Sequence, residues 1–417
     1  MFIKRRGGRK VMRLAIWGTG SVGRKTYVSC LNKHEVVCFL DSHPCDEYIY
    51  GLNVFDYHEF CIRFPEQDRP MIVVASINYL REIGDKLKAI GLHEGKDFVP
   101  FYEFLDVFYY SWWRRSFSED LVQKTFRKHK GKRKAIFFYG NCQMAPIAEI
   151  LARHKAFSEK YMPVVMPFVC CSNDEIPFLY EKIWEDCTGL VAQWVSDDNR
   201  FGGRLSTRKL LEQLPVGAYF HRFPNIYFKG YFPQTYSIEG EEKIPDDLEP
   251  PRAFLWGDRV VDTLVYGGKM ADEIMDRILS LDFWPESEVI DKSEQSLQEM
   301  ARREHNCAVK IVDYLCKHYR ERQLFYAPNH PVNEVLIEAA KRLLSVLGFG
   351  SENIVDEKLL VAEPMLKVQD AAVYPAVIKA LKLREYEQDY LANSQVWNFH
   401  GDFMNFQRKY LRWRWKI

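Results

Sequence analysis

Arg13-Leu14-Ala15-Ile16-Trp17 is a short apolar run that leads directly into Gly18-Thr19-Gly20-Ser21-Val22-Gly23, and a helical pattern follows through about Leu31. A GxGxxG turn between a strand and a helix leaves few folds open. It belongs to doubly wound parallel sheets, where the glycines give a tight turn, close approach of backbone to a phosphate, and close helix–strand packing. Val36-Val37-Cys38-Phe39-Leu40 reads as a second strand and ends in Asp41, placed to hydrogen-bond a ribose. Met71–Ala75 reads as a third parallel strand, about Tyr79–Ile90 as a helix, and Phe98-Val99 as a short fourth strand. Residues 12–110 are therefore expected to form a Rossmann-like nucleotide-binding domain. Gly18, Gly20, Gly23 and Asp41 are its candidate nucleotide-binding residues; the alternative is a scaffold of this shape that binds nothing. The unit is too short to carry a hydride-transfer subdomain, which argues against a dehydrogenase.

A second stretch, Ala135-Ile136-Phe137-Phe138-Tyr139-Gly140-Asn141-Cys142-Gln143, has the same grammar. An apolar strand is broken by Gly140 and Asn141, and a helix follows with Pro146 in its first turn and Ile147, Ile150 and Leu151 on one face. Cys142 then sits where the helix dipole and free N–H groups favour a thiolate and could hold an oxyanion. A small buried cysteine at a tight turn is the plainer reading.

The 417 residues suit two domains, and a formal net charge of +1 gives no case for nucleic acid as a partner. The apolar run around Met162–Cys171 is too short to cross a bilayer and is interrupted by prolines. The basic start of the chain lacks a signal-peptide core, so a cytoplasmic protein is expected. Ten cysteines without a CxxC pair do not suggest a disulfide framework. Adjacent Cys170-Cys171 fit a strand end better than a metal or redox pair, and no metal site is expected. Residues 1–11 read as a disordered basic lead-in. Residues 111–132 read as a basic and aromatic linker, with Trp112, Trp113, Arg114 and Arg115 at its head and Lys130-Gly131-Lys132 at its end; a helix whose aromatics pack between domains and whose charges are solvated suits it better than a surface for an anionic polymer or membrane. The C-terminal Tyr410–Lys416 run is also basic and aromatic; it suits terminal packing, or at most peripheral membrane contact.

Residues 133–417 form the second domain in this reading. Val164–Val169 and Gly189–Gln193 read as strands, the latter followed by a loop whose Arg200, Arg204 and Arg208 could clamp phosphates or lie solvated. Gly217–Phe220 is a short strand ending at His221, a candidate substrate-binding residue. Ser293–Arg320 reads as one long helical stretch. Leu324–Ala327 reads as a strand ended by Pro328-Asn329-His330-Pro331, and a helix follows, stopped by Gly348 and Gly350. His330 thus repeats the setting of Cys142. Carboxyl ends of strands in an open α/β sheet share one crevice, and this brings the two together as a nucleophile–base pair. Glu304 could orient His330, or pair with Arg302 or Arg303 on a helix surface.

Phe39-Leu40-Asp41 and the glycine turn resemble the nucleotide-sugar-binding domain at the front of certain bacterial sugar acetyltransferases. Further on, the chain resembles the polysaccharide biosynthesis acetyltransferase family typified by WcbI, a capsule-synthesis enzyme. The matching pieces run in order over about residues 134–380: Gly140-Asn141-Cys142-Gln143; Gln193 with Asp197-Asp198 and Ser206-Thr207; the Phe223–Pro233 run; Arg303-Glu304; Asn329-His330-Pro331; and Tyr374-Pro375. The resemblance implies coenzyme A as cofactor, acetyl transfer to a capsule sugar, and Cys142 and His330 as the catalytic pair. Asn141, Gln143, Asn329 and Glu304 would serve as oxyanion or support residues, and Gln193, His221, Arg303 and the three loop arginines as substrate or CoA contacts. A histidine–aspartate pair of the family is represented here by Asp258 alone. The expected architecture is an N-terminal Rossmann-like parallel sheet and a larger, helix-rich α/β domain. A cysteine-dependent ester or thioester hydrolase and a non-catalytic nucleotide-sugar sensor are the other readings.

Overall fold

The computed structural model describes residues 4–6, 9–31, 33–76, 79–110, 119–167, 169, 181–198, 206–237, 256–350, 365–366, 371–383, 407–412 and 414–415. The chain forms two compact units. One comprises Met1–Ala135, Lys160–Val165 and Phe178–Glu185; the other comprises Ile136–Glu159, Met166–Pro177 and Asp186–Ile417.

The first unit is built on β1 (Arg13–Trp17), α1 (Ser21–Cys30), β2 (Glu35–Leu40), β3 (Tyr48–Ile49), β4 (Leu52–Phe55), α2 (Tyr57–Arg63), β5 (Met71–Val74), α3 (Leu80–Ala89) and β6 (Phe98–Pro100). Its sheet has the order β3-β4-β2-β1-β5-β6, and only the β3–β4 pairing is antiparallel. The chain winds outward from β1 to β4 and then returns to the opposite side of β1, so the order reverses between β1 and β5. That switch point is where open α/β sheets take ligands. β3 and β4 were not evident in the sequence: two and four residues around a tight turn are too few to show a period. A core of Ala15, Cys38, Leu40, Phe60, Ile72, Val74, Leu87 and Phe98 backs the sheet.

One departure from expectation falls in this unit. Lys4–Arg6 and Arg9–Val11 pair as a short antiparallel hairpin rather than an unstructured lead-in. The basic and aromatic stretch contains the expected helix, α4 (Glu119–Lys130), whose Val122 and Phe126 are buried. Trp112, Trp113, Arg114 and Arg115 lie outside the described residues. β7 (Phe108–Tyr109) pairs in parallel with the later β9 (Tyr161–Val165).

The second unit begins within β8 (Lys134–Tyr139), which runs into α5 (Met144–Arg153). β10 (Cys187–Gln193) is followed by α6 (Thr207–Glu212) and β11 (Tyr219–Phe223). These strands lie in the order β11-β10-β8, and β10 pairs in parallel with β11 from Gly189↔Tyr219 to Gln193↔Phe223. A small antiparallel pair, β12 (Thr235–Ser237) with β13 (Trp256–Asp258), leads into α7 (Arg259–Tyr266) and α8 (Ala271–Ile278). The long helical stretch expected over 293–320 is two helices, α9 (Glu286–Glu304) and α10 (Val312–His318). They break because the Glu304 carboxylate accepts from the N–H groups of Ile311 and Val312 and caps the second helix. β14 (Phe325–Ala327) and β15 (His330–Pro331) precede α11 (Asn333–Val346), which packs on α5 through a face that includes Leu336, Ala340 and Leu343. α12 (Pro375–Leu381) packs on α9. No helix among the described residues is long and apolar enough to cross a membrane.

Candidate active site

Strand β8 is buried from Ala135 onward and is followed by Gly140, whose φ of +152° few side chains would tolerate. A Cβ there would also collide with the Gln193 side chain. The vacancy lets Gln193, the last residue of β10, reach the turn: its Oε1 accepts from Asn141 N at 2.8 Å. Gln193 is itself held from behind, because Thr207 Oγ1 donates to its carbonyl at 2.9 Å and accepts from Val195 N at 2.8 Å.

Gln143 completes the frame. Its side chain is fully buried, donates to the carbonyls of Ile226 and Asn329 at 2.7 Å each, and accepts from Gln193 Nε2 at 3.0 Å and Ile226 N at 3.1 Å. One amide thereby ties the start of α5 to the loop after β11 and to the turn that carries His330. Phe228 N donates to Pro328 O at 2.8 Å and fixes the same turn from the other side.

The result is that Cys142 Sγ and His330 Nε2 stand 3.4 Å apart, although 188 residues separate them in sequence. The cysteine is half-buried and the imidazole buried. The pairing is the one the sequence suggested, but the route differs. His330 does not project from a parallel strand of the main sheet. β14 and β15 form a separate antiparallel hairpin with an irregular register, Phe325↔Pro331 and Ala327↔His330. The hairpin reaches Cys142 through Gln143 and the packing of α11 on α5, not through a shared strand end.

Several other expectations need correction. The N–H of Gln143 donates to Asn141 Oδ1 at 2.9 Å and that of Met144 to Asn141 O at 3.2 Å, so the N–H groups following Cys142 are used by the turn itself rather than held for an oxyanion. The Asn141 amide also donates to Asn225 Oδ1 at 3.0 Å. Asn329 lends its backbone carbonyl to Gln143, and its side-chain Oδ1 has no donor among the described residues. Glu304 is spent on capping α10 and is not the group that orients His330. Burial raises its carboxyl above the ordinary range. Arg208 pairs with Asp197 at 2.8 Å and with Glu212, an exposed ion pair rather than an open phosphate clamp. Arg200 and Arg204 lie outside the described residues, as do Cys170 and Cys171. His221 sits inside β11, paired with Val191 and beside the Tyr219 ring, and burial lowers its basicity. Arg303 bonds Glu299 at 2.6 Å and lies over the Tyr227 ring at 5.9 Å.

Asp258 is part of a different construction. Its carboxylate caps α7 and accepts from Tyr374 at 2.8 Å and Gln407 at 3.2 Å, while its N–H donates to Tyr410 Oη at 3.0 Å. Asp262 accepts from Tyr236, Tyr410 and Trp415. The basic, aromatic C-terminal run is thus terminal packing, with Tyr410 and Leu411 buried.

In the first unit the glycines divide by task. Gly18 has φ +129°, and a Cβ on it would lie 2.5 Å from Ala75 O, across the switch point. A Cβ on Gly23 would overlap the Gly18 carbonyl, so this glycine allows α1 to pack on β1. Gly20 faces open space. Asp41 accepts from Thr19 Oγ1 at 2.6 Å and from His43 N at 3.0 Å.

Fold and site together define an α/β enzyme of the second unit in which a thiol and an imidazole meet beside the end of a sheet strand. Residues 135–352, just over half of the chain, match the family model of the polysaccharide biosynthesis enzyme WcbI, and the chain belongs to that family. A solved structure of WcbI, described as a novel polysaccharide biosynthesis enzyme in native form without a disulfide bond between coenzyme A and one of its cysteines, is similar in fold. The TM-score is 0.54 at 18% identity, over 67% of this chain and 90% of that one. No relative was found among curated proteins.

Proposed function

We propose that this enzyme transfers an acyl group, most simply acetyl, from coenzyme A to a hydroxyl of a sugar destined for a capsular or other surface polysaccharide. The observation that carries the reading is the 3.4 Å Cys142–His330 contact, in a chain whose family is one of polysaccharide biosynthesis enzymes. Acyl-CoA would supply the thioester. His330 Nε2 takes the thiol proton as Cys142 Sγ attacks the acyl carbonyl; the imidazolium then returns the proton to the departing CoA sulfur. In the second half His330 accepts the proton of the sugar hydroxyl, the new ester forms, and Cys142 leaves as thiolate and is reprotonated. The amino end of α5 favours negative charge on Sγ as Cys142 attacks and as it leaves. The partner is then a sugar or polysaccharide precursor, not nucleic acid, and the reaction belongs in the cytoplasm, with membrane contact at most peripheral. Gly20, open above the switch point, and Asp41 support a nucleotide or nucleotide-sugar site in the first unit, with ribose hydroxyls taking the place of Thr19 on the carboxylate.

Incubation with acetyl-CoA, acid quench and peptide mass spectrometry test the covalent step. An acetyl group on the Cys142 peptide is expected, absent in Cys142→Ser and at least a hundredfold slower to form in His330→Ala. Acyl transfer to sugar at wild-type rate in Cys142→Ser would refute it. Acetyl-CoA consumption unchanged by any sugar acceptor would favour a hydrolase.

A further inference from the structure

We infer that Lys229, Arg259 and Arg303 form a phosphate-binding subsite beside the Cys142–His330 pair. Lys229 follows Ile226, the residue clasped by Gln143, by three positions, a reach of at most about 10 Å of chain. Its N–H donates to Ser296 Oγ at 2.8 Å, which seats the loop on α9 two turns before Arg303. Arg303 covers the Tyr227 ring, and Tyr227 in turn contacts Trp256 with ring centroids 6.1 Å apart. Arg259 is fastened at its backbone to Gln234 O and at Nη2 to Thr235 O.

Among the described residues no carboxylate pairs with Lys229 or Arg259, and Arg303 shares Glu299 with Arg302. Lys229 is half-buried, and both burial and the two neighbouring guanidinium groups lower its ammonium below the ordinary lysine range. Like charges gathered with a single shared carboxylate cost stability, and an incoming dianion offsets that cost. Arg208, Lys269 and Lys379, by comparison, each have a carboxylate within 3 Å. Tyr227 and Trp256 add an aromatic wall of the kind that accompanies a nucleotide base. The ligand chemistry is a phosphate ester. It rests on the proposed function where that phosphate belongs to coenzyme A, and stands apart from it where the phosphate belongs to a nucleotide sugar.

Calorimetric titration of the full chain with CoA, phosphate-free pantetheine, UDP-N-acetylglucosamine and inorganic pyrophosphate separates the cases. Lys229→Gln and Arg259→Gln are each expected to weaken CoA about tenfold and to leave pantetheine unchanged, with Arg259→Lys recovering part of the loss. CoA affinity should also fall steeply with added salt in the wild type and less so in the variants. Thermal melts confirm that each variant is folded, and Arg259, being exposed, is the safer substitution. Binding of the UDP-sugar or pyrophosphate through Lys229, with no binding of CoA, keeps the subsite and removes the CoA reading. Unchanged CoA affinity in both glutamine variants, or no binding of any phosphate compound to the wild type, overturns the subsite.

Discussion

Gln143→Met tests whether one buried amide positions the His330 imidazole. Methionine matches glutamine in length and volume, so no cavity opens, but four side-chain hydrogen bonds are lost. At roughly 1 kcal/mol net for each, the second unit should lose about 4 kcal/mol. Gln193 Nε2 retains Pro224 O, at 3.3 Å, whereas Ile226 N and Asn329 O are left buried without that partner. Urea titration monitored by tryptophan fluorescence reads the stability. Position is read separately, by timing iodoacetamide alkylation of the Cys142 peptide at pH 7 by mass spectrometry; peptide resolution is needed because the chain holds ten cysteines. With Asn329 O released, the His330 turn is free to move, and alkylation should slow about tenfold, toward the rate of His330→Ala. A variant destabilised as expected but alkylated at the wild-type rate would show that the amide only braces the fold. A loss under about 1 kcal/mol would refute the energetic argument itself.

Two further outcomes follow from the geometry. Gly23→Ala should destabilise the first unit by about 3 kcal/mol or more, because its Cβ would overlap a backbone carbonyl, while Gly20→Ala should stay within about 1 kcal/mol; equal melting temperatures for the two would contradict this. Burial lifts the Asp258 carboxyl to about 6, so the folded state holds that proton more tightly than the unfolded chain, and stability falls as pH rises from about 4 to about 6, by about 3 kcal/mol. Urea titrations across that window should show the slope in the wild type and a flattened one in Asp258→Asn; a slope of opposite sign would sink the assignment.

What the sequence made legible was local. The strand–turn–helix around Gly18 and the one around Gly140 could be read because backbone approach dictates glycine at fixed offsets. Cys142 and His330 could be paired because each reads as a residue between an apolar strand and a helix, where strand ends share a crevice. The means of pairing was not readable: β14 and β15 are three and two residues long, too short to reveal that they turn back on each other. The roles of Glu304 and Arg208 were misjudged for a related reason. A carboxylate that caps a helix seven residues on, or a guanidinium that pairs eleven residues back, looks the same in sequence as one aimed at substrate. Lys229, Arg259 and Arg303 lie far apart along the chain, and only their placement shows that Lys229 and Arg259 have no carboxylate partner among the described residues while Arg303 shares Glu299 with Arg302.

The Asp258–Tyr410 bond spans 152 residues. At ribosomal speeds of roughly 5–20 residues per second, the phenol emerges about 8–30 s after the backbone N–H it must accept from. Throughout that interval a nascent chain carries an aspartate shaped for burial but still wet, and the second unit has no finished interior to protect it. Its last stage of folding is therefore timed by translation, and a stall or early stop upstream of Gln407 would hand the cell's quality control a polypeptide whose thiol and imidazole are both already made.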